Sequence, residues 1–146
     1  MGKRFHVTRT IAAPAETVWA LLADAASYAG WNPSIARIEG RIVQGGRISL
    51  VSELNPKRTF KLKVTELDRP SRMVWSSGMP FGLFTGRRTY LLTERGGATE
   101  FSMTEEFTGP LAGLIGKSIP DMTASFNEFA DGLKAGSESA VRLGKR

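Results

Sequence analysis

The amino-acid sequence predicts an α+β fold: a seven-stranded, curved antiparallel sheet wrapped around one long C-terminal helix, with two short helices between strands 1 and 2. Three observations carry this prediction. Apolar and polar residues alternate first over residues 4–11, then in six successive segments from Ile35 to Thr108. Helical spacing is confined to a short stretch near residues 14–31 and a longer one in the last third. The chain has 146 residues, 41% of them hydrophobic, which suits one domain with a real core, since domains commonly hold about 100–150 residues.

In the first strand, Phe5, Val7, Arg9 and Ile11 share one face and His6 takes the other. Ala13-Pro14-Ala15-Glu16 then opens a helix, because proline is pre-organised for a first turn and an acid there suits the helix dipole. Val18, Leu21, Leu22 and Ala25 keep helical spacing to about Asp24. A second short helix or turn runs through Ala26 to Trp31. It stops at Asn32-Pro33, since the residue before a proline avoids the helical region. Strands are expected next at 35–43, 47–54, 59–68, 72–78, 84–94 and 98–108. They are separated by Gly45-Gly46, Asn55-Pro56, Arg69-Pro70-Ser71, Gly78-Met79-Pro80 and Gly96-Gly97. Within 59–68, Phe60, Leu62 and Val64 oppose Lys61, Lys63 and Thr65, the pattern of a strand with one buried face.

After Thr108, Pro110 to Ile115 reads as a short amphipathic turn. Ser118 reads as the N-cap of the long helix, with Pro120 in its first turn. Met122, Phe126, Phe129, Ala130 and Leu133 form its apolar stripe. Gly136 and Ser137 are expected to fray its end, and residues 141–146 to form a basic tail. The whole chain, 1–146, reads as a single domain without repeat or linker.

Composition removes several chemistries. Without cysteine there is no disulfide, thiolate nucleophile or Cys-ligated metal. With His6 as the only histidine, a His-rich metal site cannot form within one chain. No phosphate-binding glycine pattern is present. The expectation is therefore no metal and no cofactor. No apolar run approaches the ~20 residues of a membrane span, so membrane insertion is not expected. The N-terminus lacks the hydrophobic core of a signal peptide, which points to a cytoplasmic protein. The net charge of +6 is spread over runs no longer than two, with acids interleaved. That distribution describes a solvated basic surface rather than a nucleic-acid site.

Four segments resemble one superfamily. They are Ile11-Ala12-Ala13-Pro14-Ala15-Glu16-Thr17-Val18-Trp19, Tyr28-Ala29-Gly30-Trp31-Asn32-Pro33, Arg72-Met73-Val74-Trp75-Ser76, and the run from Gly97 to Gly109. Each is degenerate alone. In this order, with these element types between them, they resemble the START/polyketide-cyclase/Bet v 1-like (SRPBCC) superfamily, in particular its bacterial polyketide cyclase/dehydratase-type members. The resemblance runs from about Phe5 to Lys134. It implies a helix-grip fold and an elongated hydrophobic cavity. It does not imply one activity, because members include lipid binders, cyclases, aromatase-like enzymes and chaperone cofactors.

The last hairpin can be registered from sequence. If Gly96-Gly97 is a two-residue turn, Leu92 faces Phe101, Tyr90 faces Met103, and Arg88 faces Glu105. These pairs share one face, and its apolar members make it the inner one. Arg88 and Glu105 would then sit opposite each other inside, where either charge alone would be strongly destabilising. Two readings stand: a structural cross-strand pair, or a ligand anchor or catalytic pair with Tyr90 beside it. Trp31 reads as a packing residue of the turn, and the resemblance, which places this turn near the cavity end, implies that it is a ligand contact.

Other candidates follow from the architecture. One helix seldom fills a curved sheet, and the space left over is the natural ligand site. Core-facing residues then also face the cavity: Phe60, Leu62, Val64, Trp75, Met79, Phe84 and Met103 on the sheet side, and Met122, Phe126 and Phe129 on the helix. The apolar, glycine-rich segment from Gly78 to Gly86 reads either as a loop packed on the helix or as an entrance lid together with Leu111, Leu114 and Ile115. The leading expectation is a binder of a hydrophobic or aromatic small molecule, lipid-like or polyketide-like. The alternatives are a cyclase/dehydratase using Arg88, Glu105 and Tyr90, and an interaction module using the outer sheet face at Arg87, Thr89 and Leu91. A homodimer is compatible with the apolar hairpin but not specified by it.

Overall fold

The computed structural model describes residues 3–144. Strand β1 (Arg4–Ile11) leads into helix α1 (Ala15–Leu22) and a 3-10 turn over Ala25–Gly30. The meander follows: β2 (Ile35–Gly40), β3 (Arg47–Ser52), β4 (Phe60–Asp68), β5 (Arg72–Gly78), β6 (Thr85–Arg95) and β7 (Ala98–Thr108). Helices α2 (Ala112–Ile115) and α3 (Thr123–Arg142) end the chain. The sheet order is β1-β7-β6-β5-β4-β3-β2, all antiparallel. Strand β1 therefore pairs with the last strand, and α1 with its 3-10 turn carries the chain from one sheet edge to the other. This is the helix-grip arrangement expected from the sequence.

The β6–β7 hairpin has the expected register, with Leu92 opposite Phe101, Tyr90 opposite Met103 and Arg88 opposite Glu105. Its turn residues Gly96 and Gly97 both have positive φ, 60° and 83°. Two-residue turns of that kind match the right-handed twist of the flanking strands. Irregular pairing between Val64 and Glu66 bends β4, as bulges do, and interrupts its alternation. The strands β2 and β3 end at Gly40 and Ser52, a few residues short of the expected limits.

Helix α3 departs from expectation at both ends. It starts at Thr123, not after Ser118. Ile119 is held extended by the following Pro120, and that breaks any helix begun at Ser118. The Ser118 hydroxyl instead donates to the Ile115 carbonyl. Asp121 Oδ1 accepts from both the amide and the hydroxyl of Thr123. At the other end the helix does not fray at Gly136 and Ser137 but runs on to Arg142. Ser137 is fully buried, and Gly136 lies against Leu21 and Trp31, so this turn is held by packing. Val141 and Arg142 belong to the helix. Of the expected tail, Lys145 and Arg146 lie outside the described residues.

The helix sits along β1. Arg9 donates to Asp131 and Asn127, the Ala12 amide to Glu138, and Lys134 to the Thr10 carbonyl. Its buried face of Phe126, Phe129, Ala130 and Leu133 meets an aromatic cluster contributed by every layer of the molecule. Tyr28 comes from the 3-10 turn and Trp31 directly follows it. Their rings lie 6.1 and 5.2 Å from Phe129. Trp75 and Tyr90 come from β5 and β6, 5.0 Å apart, with Tyr90 5.7 Å from Phe129. This cluster fills the part of the interior beneath α1 and the centre of α3.

Candidate functional site

Because α3 leans toward β1, the inner face of β3, β4 and β5 is incompletely covered. A cavity of about 510 Å³ opens there, roofed by the first turn of α3 and edged by residues 54–59, 77–84 and 115–120. Pockets of a few hundred to ~1,000 Å³ accommodate small organic ligands. The walls carry Leu50, Phe60, Leu62, Phe84, Phe107 and Met122, and Trp75 joins them to the aromatic cluster.

The sequence candidates divide by position. Phe60, Leu62, Trp75, Met79, Phe84, Arg88, Glu105 and Met122 all line this cavity. Trp31, Val64, Tyr90, Phe101, Met103, Phe126 and Phe129 are packed in the core beside it. These seven face inward as expected, but neighbouring rings and aliphatic chains occupy the space they point into. Sequence reasoning overlooked Leu50, Leu54, Arg58, Phe107 and Ile119 as lining residues. Two were within reach: Leu50 follows Ile48 by one alternation step in β3, and Phe107 continues the Phe101, Met103 and Glu105 face. The others come from loops, where no periodicity signals direction.

One ion pair reaches the cavity. Arg88 Nε and Nη2 converge on Glu105 Oε1 at 2.8 and 2.6 Å, and each side chain is 14% exposed. The guanidinium also lies over the Phe126 ring, 4.9 Å from its centroid. Burial alone would lower the Arg88 pKa. The adjacent Glu105 charge and the Tyr90 hydroxyl more than offset this and hold the group above its ordinary value, permanently charged. Burial pushes the Tyr90 hydroxyl well up, against a partial lowering by Arg88, so it stays protonated. That hydroxyl lies against the Arg88 guanidinium, while the Trp75 indole N–H is buried without a hydrogen-bond partner among the described residues. Tyr28, raised chiefly by burial, donates instead to the Leu22 carbonyl at 2.6 Å.

Outside the cavity, His6 is exposed on β1 beside the Thr104 hydroxyl. Arg87, opposite Glu106 in register, makes its ion pair with Glu66, which also binds Arg72. Among the described residues, no three His, Asp or Glu side chains gather in a group able to hold a metal.

The family model described as polyketide cyclase / dehydrase and lipid transport matches residues 3–138. The chain belongs to that family. Its resemblance to the START/SRPBCC superfamily is thereby borne out. This family member shares its fold with the Zhui aromatase/cyclase from Streptomyces sp. R1128, at 19% identity and a TM-score of 0.75, covering 99% of both chains. It is also similar to a START superfamily protein from Mycobacterium smegmatis, at 17% identity and a TM-score of 0.68, covering 94% of this chain and 99% of that one. A protein from Thermus thermophilus is 22% identical with a TM-score of 0.71, over 94% and 99% of the two chains. No curated protein matches the sequence. Membership supports hydrophobic ligand binding or a cyclase role. No helix among the described residues is long and apolar enough to cross a membrane.

Proposed function

We propose that this family member binds a single apolar or aromatic small molecule, lipid-like or polyketide-like, in the cavity between the sheet and α3. The observation that carries this reading is the cavity itself. It has about 510 Å³ of space and largely apolar walls, and its deep ion pair neutralises itself. Burying apolar ligand surface there supplies about 25 cal/mol per Å². Arg88 and Glu105 together add a polar spot of no net charge, suited to a carbonyl, hydroxyl or phenol rather than to an isolated carboxylate. General acid–base catalysis favours a group that titrates near the working pH. Arg88 stays charged and Tyr90 stays protonated. Those fixed states suit holding a ligand oxygen better than shuttling protons.

A second reading has its own support. The Arg88 guanidinium lines the cavity with its charge held fixed, a donor able to polarise a carbonyl, and a reactive chain folded in the cavity would cyclise by proximity. Native mass spectrometry of the protein purified without detergent tests the binding reading. A co-purifying apolar mass, displaced by an added aromatic or lipid-like probe, is expected. An empty protein that no such probe occupies would overturn it. Conversion of a poly-carbonyl probe to a ring at a rate that falls with Arg88→Lys would establish the enzymatic reading.

A further inference from the structure

The ion pair at the cavity is joined through one carboxylate oxygen only. Arg88 Nε and Nη2 both meet Glu105 Oε1, and Oε2 takes no hydrogen bond among the described residues. Arginine and a carboxylate frequently pair fork to fork, with one bond to each oxygen. Here the second oxygen is left open. Glu105 lines the cavity, keeps 14% of its side chain accessible, and Oε2 is not sealed in the interior. Arg88, by contrast, is engaged on three sides: by that carboxylate, by the Tyr90 hydroxyl and by the face of the Phe126 ring.

An aromatic surface adjoins the pair. Phe107 stands two residues along β7, on the same face as Glu105 and opposite Gly86. A Cβ on Gly86 would come within 3.2 Å of the Phe107 ring, so the missing side chain lets that ring lie across β6. Phe84 stacks on Phe107, with centroids 5.8 Å apart and planes at 11°. Both rings line the cavity, as do Phe60 and Leu62. Such walls favour an aryl ring in offset or edge contact. An ionised carboxylate only accepts hydrogen bonds. Ketone, ether and carboxylate oxygens therefore meet lone pairs at Oε2, whereas an O–H or N–H donor is drawn in. An ammonium donor would satisfy Oε2 but would face the Arg88 charge.

We propose that Glu105 Oε2 selects the ligand by accepting from a neutral hydroxyl carried on an aryl ring, a phenol, whose ring lies against Phe107. This inference rests on the cavity reading and narrows it. Competition against a fluorescent apolar probe tests it with naphthalene, 2-naphthol, 2-methoxynaphthalene and 2-acetylnaphthalene. The methyl ether is more apolar than the naphthol, so burial alone ranks it ahead. The naphthol is nevertheless expected to compete about tenfold more strongly than the other three. In Glu105→Gln the amide oxygen stays on Arg88 and the NH2 group takes the place of Oε2, turning an acceptor into a donor. The naphthol advantage should vanish there, and acetylnaphthalene should gain several-fold. If that variant does not fold, the series on the unaltered protein decides alone. Equal competition by the naphthol and its ether, or a lead for acetylnaphthalene, overturns selection by Glu105 and leaves the cavity reading standing. A naphthol advantage that survives in folded Glu105→Gln overturns it too. If neither the fluorescent probe nor any naphthalene binds, the cavity reading itself fails, and selection by Glu105 fails with it.

Discussion

A Cβ on Gly132 would overlap the carbonyl oxygen of Trp31. The helix can approach the 3-10 turn this closely only because residue 132 has no side chain, and the approach sets Trp31 against Phe129. Alanine is the better helix former by about 1 kcal/mol, so propensity alone predicts that Gly132→Ala stabilises. The contact is with backbone and cannot yield, so overpacking outweighs propensity. Gly132→Ala should destabilise by about 1–3 kcal/mol in a denaturant titration. The Arg88–Glu105 pair behaves differently. Arg88→Met strands a carboxylate at 14% exposure and should cost ~3–5 kcal/mol. Arg88→Met combined with Glu105→Leu removes both charges and should recover most of that loss. A double variant as unstable as the single one would show that the pair holds the fold by more than mutual neutralisation. Sequence arithmetic located this pair because a two-residue glycine turn fixes every opposed position in its hairpin. It had no access to Gly132, whose role exists only once two distant segments meet.

At the scale of the element, α3 is fastened to β1 by polar contacts at its exposed edge as well as by its apolar stripe. Glu138 Oε2 accepts from the Ala12 amide at 2.8 Å and from Lys134 at 2.7 Å. The Ala12 hydrogen bond first, then that from Lys134, hold its pKa below the usual glutamate value. Glu66 is lowered by its hydrogen bond from Arg72, and Asp121 by that from Thr123. A carboxyl whose pKa is depressed by folding contributes stability above its unfolded pKa and loses it as pH falls through the folded one. Thermal stability should therefore drop as pH falls below about 4.5. Glu138→Gln should lower the melting temperature at neutral pH and flatten that acid limb, and an unchanged limb would remove Glu138 from the account. The stripe of this helix was legible from its 3.6-residue spacing. Its start was not, because Ser118 and Pro120 look like a cap while proline also bars the residue before it from the helix. Its far end was misread for a related reason. Gly136 reads as a break until Leu21 and Trp31 are seen packed against it.

For the whole molecule, the decisive property is that its interior is filled at one end and open at the other. The sequence shows which residues face inward, because strand alternation and helix spacing set direction. It does not show which inward residues touch each other, since that depends on where α3 lies across the sheet. Arg9, Lys134 and Glu138 place it over β1, so the rings of Trp31, Tyr90, Phe101 and Phe129 close on one another while Phe60, Leu62 and Met122 face open space. Added volume should then have opposite effects at the two ends. Leu92→Phe, in the filled part, should cost about 1–3 kcal/mol. Leu62→Trp, in the open part, should be neutral or stabilise by about 0.5–2 kcal/mol, as cavity filling commonly does. The same substitution should abolish ligand-dependent stabilisation. In the parent chain a bound apolar probe at a hundred times its Kd adds about 2.7 kcal/mol, read as a rise in melting temperature. Loss of that rise in Leu62→Trp, with the unliganded protein no less stable, is the outcome expected if the open half of the interior is the binding site. A probe that still raises the melting temperature of Leu62→Trp to the same extent binds elsewhere, and the cavity would then not be its site.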